Sequence, residues 1–304
     1  MKKVWVEKHR PKSVAGVIMP DQRLAAKFAS FVEAGEIPNI LLHGGPGTGK
    51  TSISRALIAD LKVDKNDVLV VRCSDEKIDA LRDKVRGFAT TMPHGRFKVV
   101  RLEEFDYLSP DAQALLRSLI EDVSGSCRFI ATCNYLNKVM PPLRSRFQEF
   151  KIATPAREDV IVLAAEILEK EGVRYSEEDL ERVVSIAYPD IRKLIQYLDE
   201  FSVNGEFKIR STSTSVSDWK LELLPLLESG ELRAARKVIC ESATQEEVVE
   251  VFRFIYDNLP RLKRFAKSID DAIVLLNKYQ YQHAFVSDVE LNVAAMMIEL
   301  DQLP

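Results

Sequence analysis

The clearest chemical signal in the chain is a glycine-rich run that ends in lysine and threonine. It follows the apolar run 40–42 and precedes a segment, 50–62, whose composition favours a helix. Strand, glycine loop and helix in this order form the setting of a phosphate-binding loop. The residues of this loop are Gly44, Gly45, Pro46, Gly47, Thr48, Gly49, Lys50 and Thr51. We therefore predict a nucleoside triphosphate site, against the alternative of a glycine-rich turn beside an unrelated lysine.

The chemistry of this loop assigns a role to each residue type. Glycines let successive backbone N–H groups point inward at an anion, and the positive end of the following helix strengthens that attraction. Lys50 would reach the β- and γ-phosphates, and the Thr51 hydroxyl would bind Mg²⁺. Ser52 lies next in the same helix start and is included among the predicted ATP contacts. ATP and Mg²⁺ are thus the predicted cofactors.

Composition restricts the class of protein. The 304 residues are 46% hydrophobic and 29% charged, which is ordinary for a globular chain long enough for two or three domains. No apolar run approaches the roughly 18 residues of a membrane span, and residues 1–8 lack the apolar core of a secretory signal. We expect a cytoplasmic protein without a membrane partner. The net charge of −3 argues against a surface coated for nucleic acid, although it leaves room for a local basic patch.

Cysteine spacing predicts neither a zinc site nor a disulfide framework. The four cysteines form no C-x-x-C pair. Three of them, Cys73, Cys127 and Cys133, lie in or beside apolar runs, which predicts buried free thiols.

Alternating strand-like and helix-like segments predict a parallel α/β sheet in the first half of the chain. The predicted strands are 39–43, 68–71, 97–102, 127–133 and 149–152. The predicted helices are 21–34, 50–62, 77–90 and 109–122, the first capped by Asp21. Arg101 is unusual within an apolar strand, so we expect it to lie near a strand end or to reach a polar partner.

After residue 154 the periodicity predicts helices only, over 157–171, 176–187, 190–203 and within 218–304. We predict an ATPase domain at 1–153, a three-helix lid at 154–208, a linker at 209–217 and an all-α collar at 218–304. The apolar stripes of the last segment predict core and subunit contacts.

Acidic residues at the end of the third predicted strand complete a hydrolytic set. Glu103 would hold Mg²⁺ through a water molecule, and Glu104 would polarise the attacking water. A solvated acidic turn is the alternative. Asn134, at the end of the fourth strand, would orient water near the γ-phosphate, although asparagine at a strand end is also common in turns. Arg146 is either a surface charge or an arginine finger offered to a neighbouring subunit.

Together these motifs resemble the AAA+ superfamily and, within it, the clamp loaders of DNA replication. The resemblance covers roughly residues 4–200 in order and spacing, and it is closest to the large subunit of T-even-type bacteriophage clamp loaders. The matching segments are the opening motif at 5–12, Walker A at 44–51, the DNA-contact segment at 73–82, Walker B at 103–106, sensor 1 at 134, the serine–arginine–cysteine motif at 145–147 and sensor 2 at 189–194.

The resemblance implies further contacts and partners. It adds ATP contacts in the opening motif and the lid, namely Glu7, His9, Arg10, Pro11 and Arg192. It assigns contacts with the backbone of primer–template DNA to Lys77, Ile78 and Arg82, for which a solvated helix face is the alternative. It also implies several copies of this chain with a distinct small subunit in a pentamer that opens a sliding clamp. A clamp-contact patch is expected to include Phe88, Met92 and Pro93.

Two positions depart from the family pattern. Glu103 stands where the family has aspartate, and Phe147 stands where it usually has cysteine. The longer Glu103 side chain can still hold Mg²⁺ through water, and the cysteine is not the reacting group. The alternatives are another DNA-acting AAA+ machine, such as a branch-migration motor or initiator, and a nucleotide-binding assembly subunit without hydrolysis.

Overall fold

The computed structural model describes residues 4–75, 78–209, 219–243 and 247–304. In this part of the chain, a five-stranded parallel sheet has the order β2-β3-β4-β1-β5. Its strands are β1 (Ile40–His43), β2 (Val68–Arg72), β3 (Lys98–Glu103), β4 (Cys127–Cys133) and β5 (Gln148–Lys151). The predicted parallel α/β sheet is confirmed.

Helices connect and follow these strands. The first group is α1 (Trp5–Lys8), α2 (Gln22–Ala34), α3 (Lys50–Asp60), α4 (Ile78–Ala89), α5 (Pro110–Asp122) and α6 (Pro141–Arg144). The second is α7 (Arg157–Lys170), α8 (Glu177–Ala187) and α9 (Ile191–Phe201). The third is α10 (Trp219–Ser229), α11 (Leu232–Ser242), α12 (Val248–Asn258), α13 (Ile269–His283) and α14 (Val289–Asp301). Among the described residues, no helix is both long enough and apolar enough to cross a bilayer.

Local sequence signals set the ends of several helices. Asp21 caps α2 by accepting a hydrogen bond from the Arg23 backbone N–H at 2.8 Å, as predicted. Ser109 caps α5 in the same way through the Ala112 N–H at 3.3 Å, and Pro110 occupies the first helical position. These caps fix where the helices that cover the sheet begin.

The central strands β1, β3 and β4 are buried on both faces, which explains why they are largely apolar. On one face Leu41 packs with Phe105 and Leu116. On the other, Ile40 and Leu42 pack with a cluster that includes Phe28, Phe31, Ile53 and Leu57. Parallel strands with covered faces place all their carboxyl ends at one edge, where the candidate site lies.

Arg101 lies within β3 and is only 6% exposed. Its guanidinium reaches the Glu103 carboxylate two residues further along the same strand, with 3.2 Å between Nη2 and Oε1. Residues two apart in a strand lie on the same face. The expectation that Arg101 reaches a polar partner is confirmed. The predicted buried free thiols Cys73, Cys127 and Cys133 are also confirmed.

The chain divides into two compact units. Met1–Leu180 with Ala187–Phe207 forms the first, and Glu181–Ile186 with Lys208–Pro304 forms the second. The bounds of the four predicted segments stay predictions, and residues 210–217 of the predicted linker, with residue 218 of the predicted collar, lie outside the described residues.

We predicted that the chain after residue 154 contains helices and no strands, and this was wrong at one place. Two short antiparallel strands, β6 (Ser202–Val203) and β7 (Glu206–Phe207), follow α9. Asn204 and Gly205 connect them with positive φ angles of 54° and 78°. Asn-Gly between two strands is a hairpin signal, since both residues tolerate the left-handed backbone that such a turn needs. The helix predicted over 190–203 therefore ends at Phe201.

We predict that Phe28→Ala destabilises the first unit by about 3–5 kcal/mol, because it removes a fully buried ring that contacts Phe31 and Phe150. Chemical denaturation followed by circular dichroism measures the change. Val162→Ala, at an exposed position of α7, is the control and should change stability by less than about 0.5 kcal/mol. Equal effects of the two substitutions would contradict the assignment of Phe28 to the core.

Candidate nucleotide-binding site

A cleft of about 850 Å³ lies at the carboxyl edge of the sheet, entirely within the first unit. Its walls come from the N-terminal segment, the glycine loop, the ends of β2, β3 and β4, and helices α7 and α9. The predicted site residues that line it are Glu7, His9, Arg10, Pro11, Pro46, Gly47, Thr48, Gly49, Lys50, Thr51, Ser52, Glu103, Glu104, Asn134 and Arg192. Residues separated by more than a hundred positions are thus brought to one place.

Two glycines of the loop are required by what lies against them. Gly44 has φ 152°, and a Cβ there would lie 2.1 Å from the carbonyl oxygen of Ile152. Gly47 has φ 72°, and a Cβ there would lie 2.3 Å from Oδ1 of Asp190, the residue that caps α9. A side chain at position 44 would clash with the main chain, and one at position 47 would displace the Asp190 carboxylate and strain the backbone. Gly44 and Gly45 form the base of the loop and do not line the cleft.

Lys50 is the first residue of α3 and is 8% exposed. Its Nζ donates hydrogen bonds to the carbonyl oxygens of Gly44 at 2.8 Å and Gly45 at 2.6 Å. Burial lowers the pKa of Lys50 to about 8, although the nearby Asp106 carboxylate acts in the opposite direction. The loop therefore holds a lysine whose charged form is only weakly stabilised, and an anion in the cleft would stabilise it further.

The two glutamates at the end of β3 differ in environment. Glu103 is partly buried, and its carboxylate lies 3.2 Å from Arg101 Nη2 and 3.8 Å from Arg72 Nε. Glu104 is exposed to the cleft and has a left-handed backbone, with φ 57° and ψ 46°. For a residue other than glycine this conformation costs about 1–3 kcal/mol, and such strain concentrates at functional sites. Glu103 is thus paired with arginines, whereas Glu104 faces the cleft.

Asp106 has no role in the sequence-based prediction, yet it joins the loops that follow β3 and β4. It is 5% exposed, and its Oδ2 accepts a hydrogen bond from the Tyr135 backbone N–H at 3.1 Å. Its Oδ1 is buried without a hydrogen-bond partner among the described residues, and the residue lines the cleft. Asp106 therefore places Asn134, the neighbour of Tyr135, beside the Glu104 turn. The signal in the sequence was that Asp106 follows Glu104 closely in the turn after β3.

The N-terminal segment begins with the short helix α1. Trp5 is buried, and its backbone N–H donates to Asp199 Oδ2 at 3.1 Å. Glu171, at the end of α7, accepts from Lys8 Nζ at 2.7 Å and lies 2.5 Å from His9 Nε2. Burial alone would raise the pKa of Glu171, but the hydrogen bonds from Lys8 and His9 hold it below its usual value. These bonds fix one wall of the cleft to α7 and α9.

Arg146 lies outside the cleft. It is partly buried at the end of the short turn after α6, where its guanidinium pairs with Glu121 and lies 3.2 Å from Ser145 Oγ. Phe147, which replaces the family's usual cysteine, packs edge-on against Phe105 with 5.6 Å between ring centroids. The structure therefore places Arg146 outside the cleft of its own unit, and Phe147 packs the Arg146 loop against the turn that follows β3.

Those of the predicted DNA and clamp residues that the structure describes lie on and after α4. Lys77 and the side chain of Ile78 lie outside the described residues, although α4 itself begins at Ile78. Arg82 is exposed, with its Nε 3.2 Å from Asp83 Oδ1. Met92 is 88% exposed, whereas Phe88 and Pro93 are partly buried.

The residues of the cleft fit a Mg²⁺ ion that is bound together with a nucleotide. In the described part of the chain, no group of three or more His, Cys, Asp or Glu residues could hold a metal by itself. Mg²⁺ usually binds one or two carboxylates, substrate phosphates and water rather than an all-protein cage. Thr51 and Glu103 both line the cleft, and the unpaired Asp106 oxygen provides additional negative charge there.

Comparison with known proteins identifies the class. Residues 40–156 match the family described as ATPase family associated with various cellular activities (AAA). The fold resembles the Thermotoga maritima RuvB Holliday junction branch migration motor, with a TM-score of 0.57, 17% identity, and coverage of 82% of this chain and 81% of that one. This likeness concerns the fold alone. The chain has the fold and nucleotide cleft of an AAA+ P-loop ATPase.

Two archaeal relatives identify the family more closely. The chain is 36% identical over 246 residues to the replication factor C small subunit of Archaeoglobus fulgidus, covering 78% of this chain and 77% of the relative. It is 33% identical over 271 residues to the replication factor C small subunit of Methanococcus maripaludis strain S2, covering 83% and 85%. The chain belongs to the replication factor C small-subunit family.

We predict that ATP binds more weakly above pH 8. The pKa of Lys50 is about 8 without nucleotide, and bound phosphates would raise it. Binding then takes up a proton when the pH exceeds 8, and the dissociation constant should rise by up to about tenfold per pH unit. Isothermal titration calorimetry from pH 7 to pH 10, in two buffers of different ionisation enthalpy, measures affinity and proton uptake.

The control for this experiment is Lys170→Met, which changes an exposed lysine at the rim of the same cleft and should retain the pH dependence. A dissociation constant for the unmodified chain that is independent of pH from 7 to 10 would contradict the role given to Lys50.

Proposed function

We propose that this chain is the ATPase subunit of a sliding-clamp loader that acts in DNA replication. One observation carries the proposal. Lys50, Glu104 and Arg192 share a cleft, whereas Arg146 lies outside it on the same unit. An arginine held outside the cleft of its own unit is suited to completing the site of a neighbouring subunit. The replication factor C relatives support the same conclusion.

We assign a binding role to each of these cleft residues. The glycine loop and Lys50 bind the phosphates, and the N-terminal segment around His9 lies against the base. Arg192, which lies near the start of α9, contacts the γ-phosphate from the lid. Thr51 and Glu103 would hold Mg²⁺, which offsets phosphate charge when bound.

The hydrolytic step belongs to Glu104 and Asn134. The Glu104 carboxylate accepts a proton from the attacking water, and its position at the cleft surface leaves room for that water. The Asn134 amide orients the water, and Asp106 holds the Asn134 loop in place through Tyr135. General-base positioning of this kind typically contributes about 10²–10⁴ in rate.

Subunit contacts come from Arg146 and from the second unit. Arg146 exchanges its Glu121 partner for the γ-phosphate that is bound by the neighbouring subunit. In the second unit, Val274, Tyr281 and Phe285 on and after α13 are largely exposed, with the last two rings 5.3 Å apart. Exposed apolar clusters of this kind mark interaction sites. We assign them to the collar that joins several copies of this chain and a distinct small subunit in a pentamer, as in T-even-type loaders.

Primer–template DNA and the clamp bind through the α4 region. Lys77, Ile78 and Arg82 follow the phosphate backbone, which gives binding that is independent of sequence and weakened by salt. Met92, exposed beyond the end of α4, contacts the clamp together with Phe88 and Pro93. ATP binding assembles the spiral and opens the clamp, and the primed junction triggers hydrolysis and clamp release.

A second candidate, a nucleotide-binding assembly subunit without hydrolysis, is favoured by one observation. Glu103, in the Walker B position, is already paired with Arg101 and Arg72. If these pairs persist with nucleotide bound, the carboxylate is withheld from Mg²⁺.

ATP turnover by the purified chain distinguishes the two candidates. Turnover is measured for the chain alone and for the chain with its partner subunit and clamp, in each case with and without primed DNA. Strong stimulation by the primed junction, increased further by clamp, supports the loader. Tight ATP binding without turnover in every mixture supports the assembly subunit.

Arg146→Ala should leave ATP affinity unchanged but reduce turnover of the assembly by about 10³-fold or more, because the finger acts on the neighbour's nucleotide. Single-turnover hydrolysis and equilibrium ATP binding measure the two quantities. Arg117→Ala, at an exposed position of α5, is the matched control. Normal turnover by the Arg146 variant would exclude the proposed role.

Glu104→Gln keeps the shape of the side chain but removes the proton acceptor. We expect ATP, clamp and DNA to bind while hydrolysis falls by about 10²–10⁴-fold. Glu33→Gln, at an exposed position of α2, is the control for loss of a charge. If the Glu104 variant instead fails to bind ATP, clamp or DNA, Glu104 acts in assembly rather than as the water-activating base.

A further inference from the structure

The loop that carries Arg146 is held at its main chain by one side chain from another part of the sheet. Asn39 Nδ2 donates a hydrogen bond to the Arg146 carbonyl oxygen at 3.2 Å. Asn39 Oδ1 accepts the Phe129 backbone N–H at 2.9 Å, and the Asn39 carbonyl oxygen accepts the Gln148 N–H at 2.8 Å. Asn39 therefore connects the Arg146 loop to β4 and β5 through three bonds.

The chemistry of these contacts favours an asparagine. The Arg146 carbonyl can only accept a hydrogen bond, and the Phe129 N–H can only donate one. A side-chain amide supplies both complements, and the two main-chain partners fix which way it points. An aspartate could still accept from Phe129, but it would turn a carboxylate oxygen toward the Arg146 carbonyl. The two bonds can therefore be separated by substitution.

Asn39 also lies at a particular place in the sheet. It immediately precedes β1, and β1 ends at the phosphate loop. The neighbouring strand β5 begins just after the Arg146 loop, and beyond its end Ile152 donates its N–H to the His43 carbonyl at 2.7 Å. The Ile152 carbonyl oxygen packs against Gly44. The β1–β5 pair thus has the arginine loop at one end and the phosphate loop at the other.

We propose that Asn39 is a positioning residue for Arg146. It fixes the main chain of the arginine loop to the strand pair that carries the phosphate loop. This sets the distance between the nucleotide a subunit binds and the arginine it presents to its neighbour. The proposal rests on the proposed function, since it assumes that Arg146 acts on a neighbouring site. A displacement of about 1 Å in such a group can cost about 10²-fold in rate.

The test is Asn39→Asp in the full assembly with partner subunit, clamp and primed DNA. This variant retains an acceptor for Phe129 but loses the donor to Arg146. We expect turnover at saturating ATP to fall by about 10- to 100-fold, while the affinity of the isolated chain for ATP stays unchanged. The double variant Asn39→Asp with Arg146→Ala should be no slower than Arg146→Ala alone, because both act through one group.

Asn66→Asp, the same chemical change at an exposed position, is the matched control. Asn39→Ala removes both side-chain bonds and provides a second variant should aspartate disturb folding, with turnover normalised to the folded fraction. Wild-type turnover by both Asn39 variants would overturn the proposal, as would a double variant markedly slower than Arg146→Ala. If Arg146→Ala itself retains full turnover, the proposed function fails first, which is a distinguishable result.

Discussion

The carbonyl oxygen of Ile152 occupies the space that a side chain on residue 44 would need, and much of the site depends on this contact. It requires glycine at the start of the phosphate loop, just beyond the point where β5 pairs with β1. The His43 carbonyl accepts the Ile152 N–H, so the loop leaves the sheet from a fixed point. Lys50 then reaches the carbonyl oxygens of its own loop. An anion site built from backbone N–H groups requires this kind of preorganisation.

The charged side chains of the cleft differ in how deeply they are buried and in which charged groups lie near them. Lys50 is a largely desolvated cation, and Asp106 is the carboxylate that most strongly favours its charged form. Glu103 has two arginines near it, whereas Glu104 remains open to the cleft on a strained backbone. Neighbouring carboxylates thus have separate environments. On the proposed function, Glu104 is open to water as a proton acceptor must be, whereas the arginines beside Glu103 compete with Mg²⁺ for its carboxylate.

Local patterns were sufficient to predict the sheet and most helices. Of the residues that line the cleft, Glu7, His9, Arg10, Pro11 and Arg192 came from the family resemblance, and Arg55 and Arg72 were not predicted. Apolar runs mark strands buried on both faces, and the caps at Asp21 and Ser109 are encoded within a few residues. Contacts between distant residues could not be predicted in this way. The bonds from His9 to Glu171 and from Asn39 to Arg146 join residues 162 and 107 positions apart. Periodicity contains no information about such pairs, because they depend on how whole elements pack.

The position of Arg146 has a consequence for regulation that follows from the geometry. On the proposed function, Arg146 acts on a neighbour's nucleotide and not on the one that its own chain binds, because it lies outside its own cleft. Here the guanidinium pairs with Glu121 on the surface of the same unit, and this partly exposed pair contributes little to stability. The arginine can therefore leave Glu121 at small cost when a neighbour's nucleotide becomes available. On the proposed function, hydrolysis then depends on assembly, and anything that aligns adjacent subunits, such as primed DNA, controls the rate.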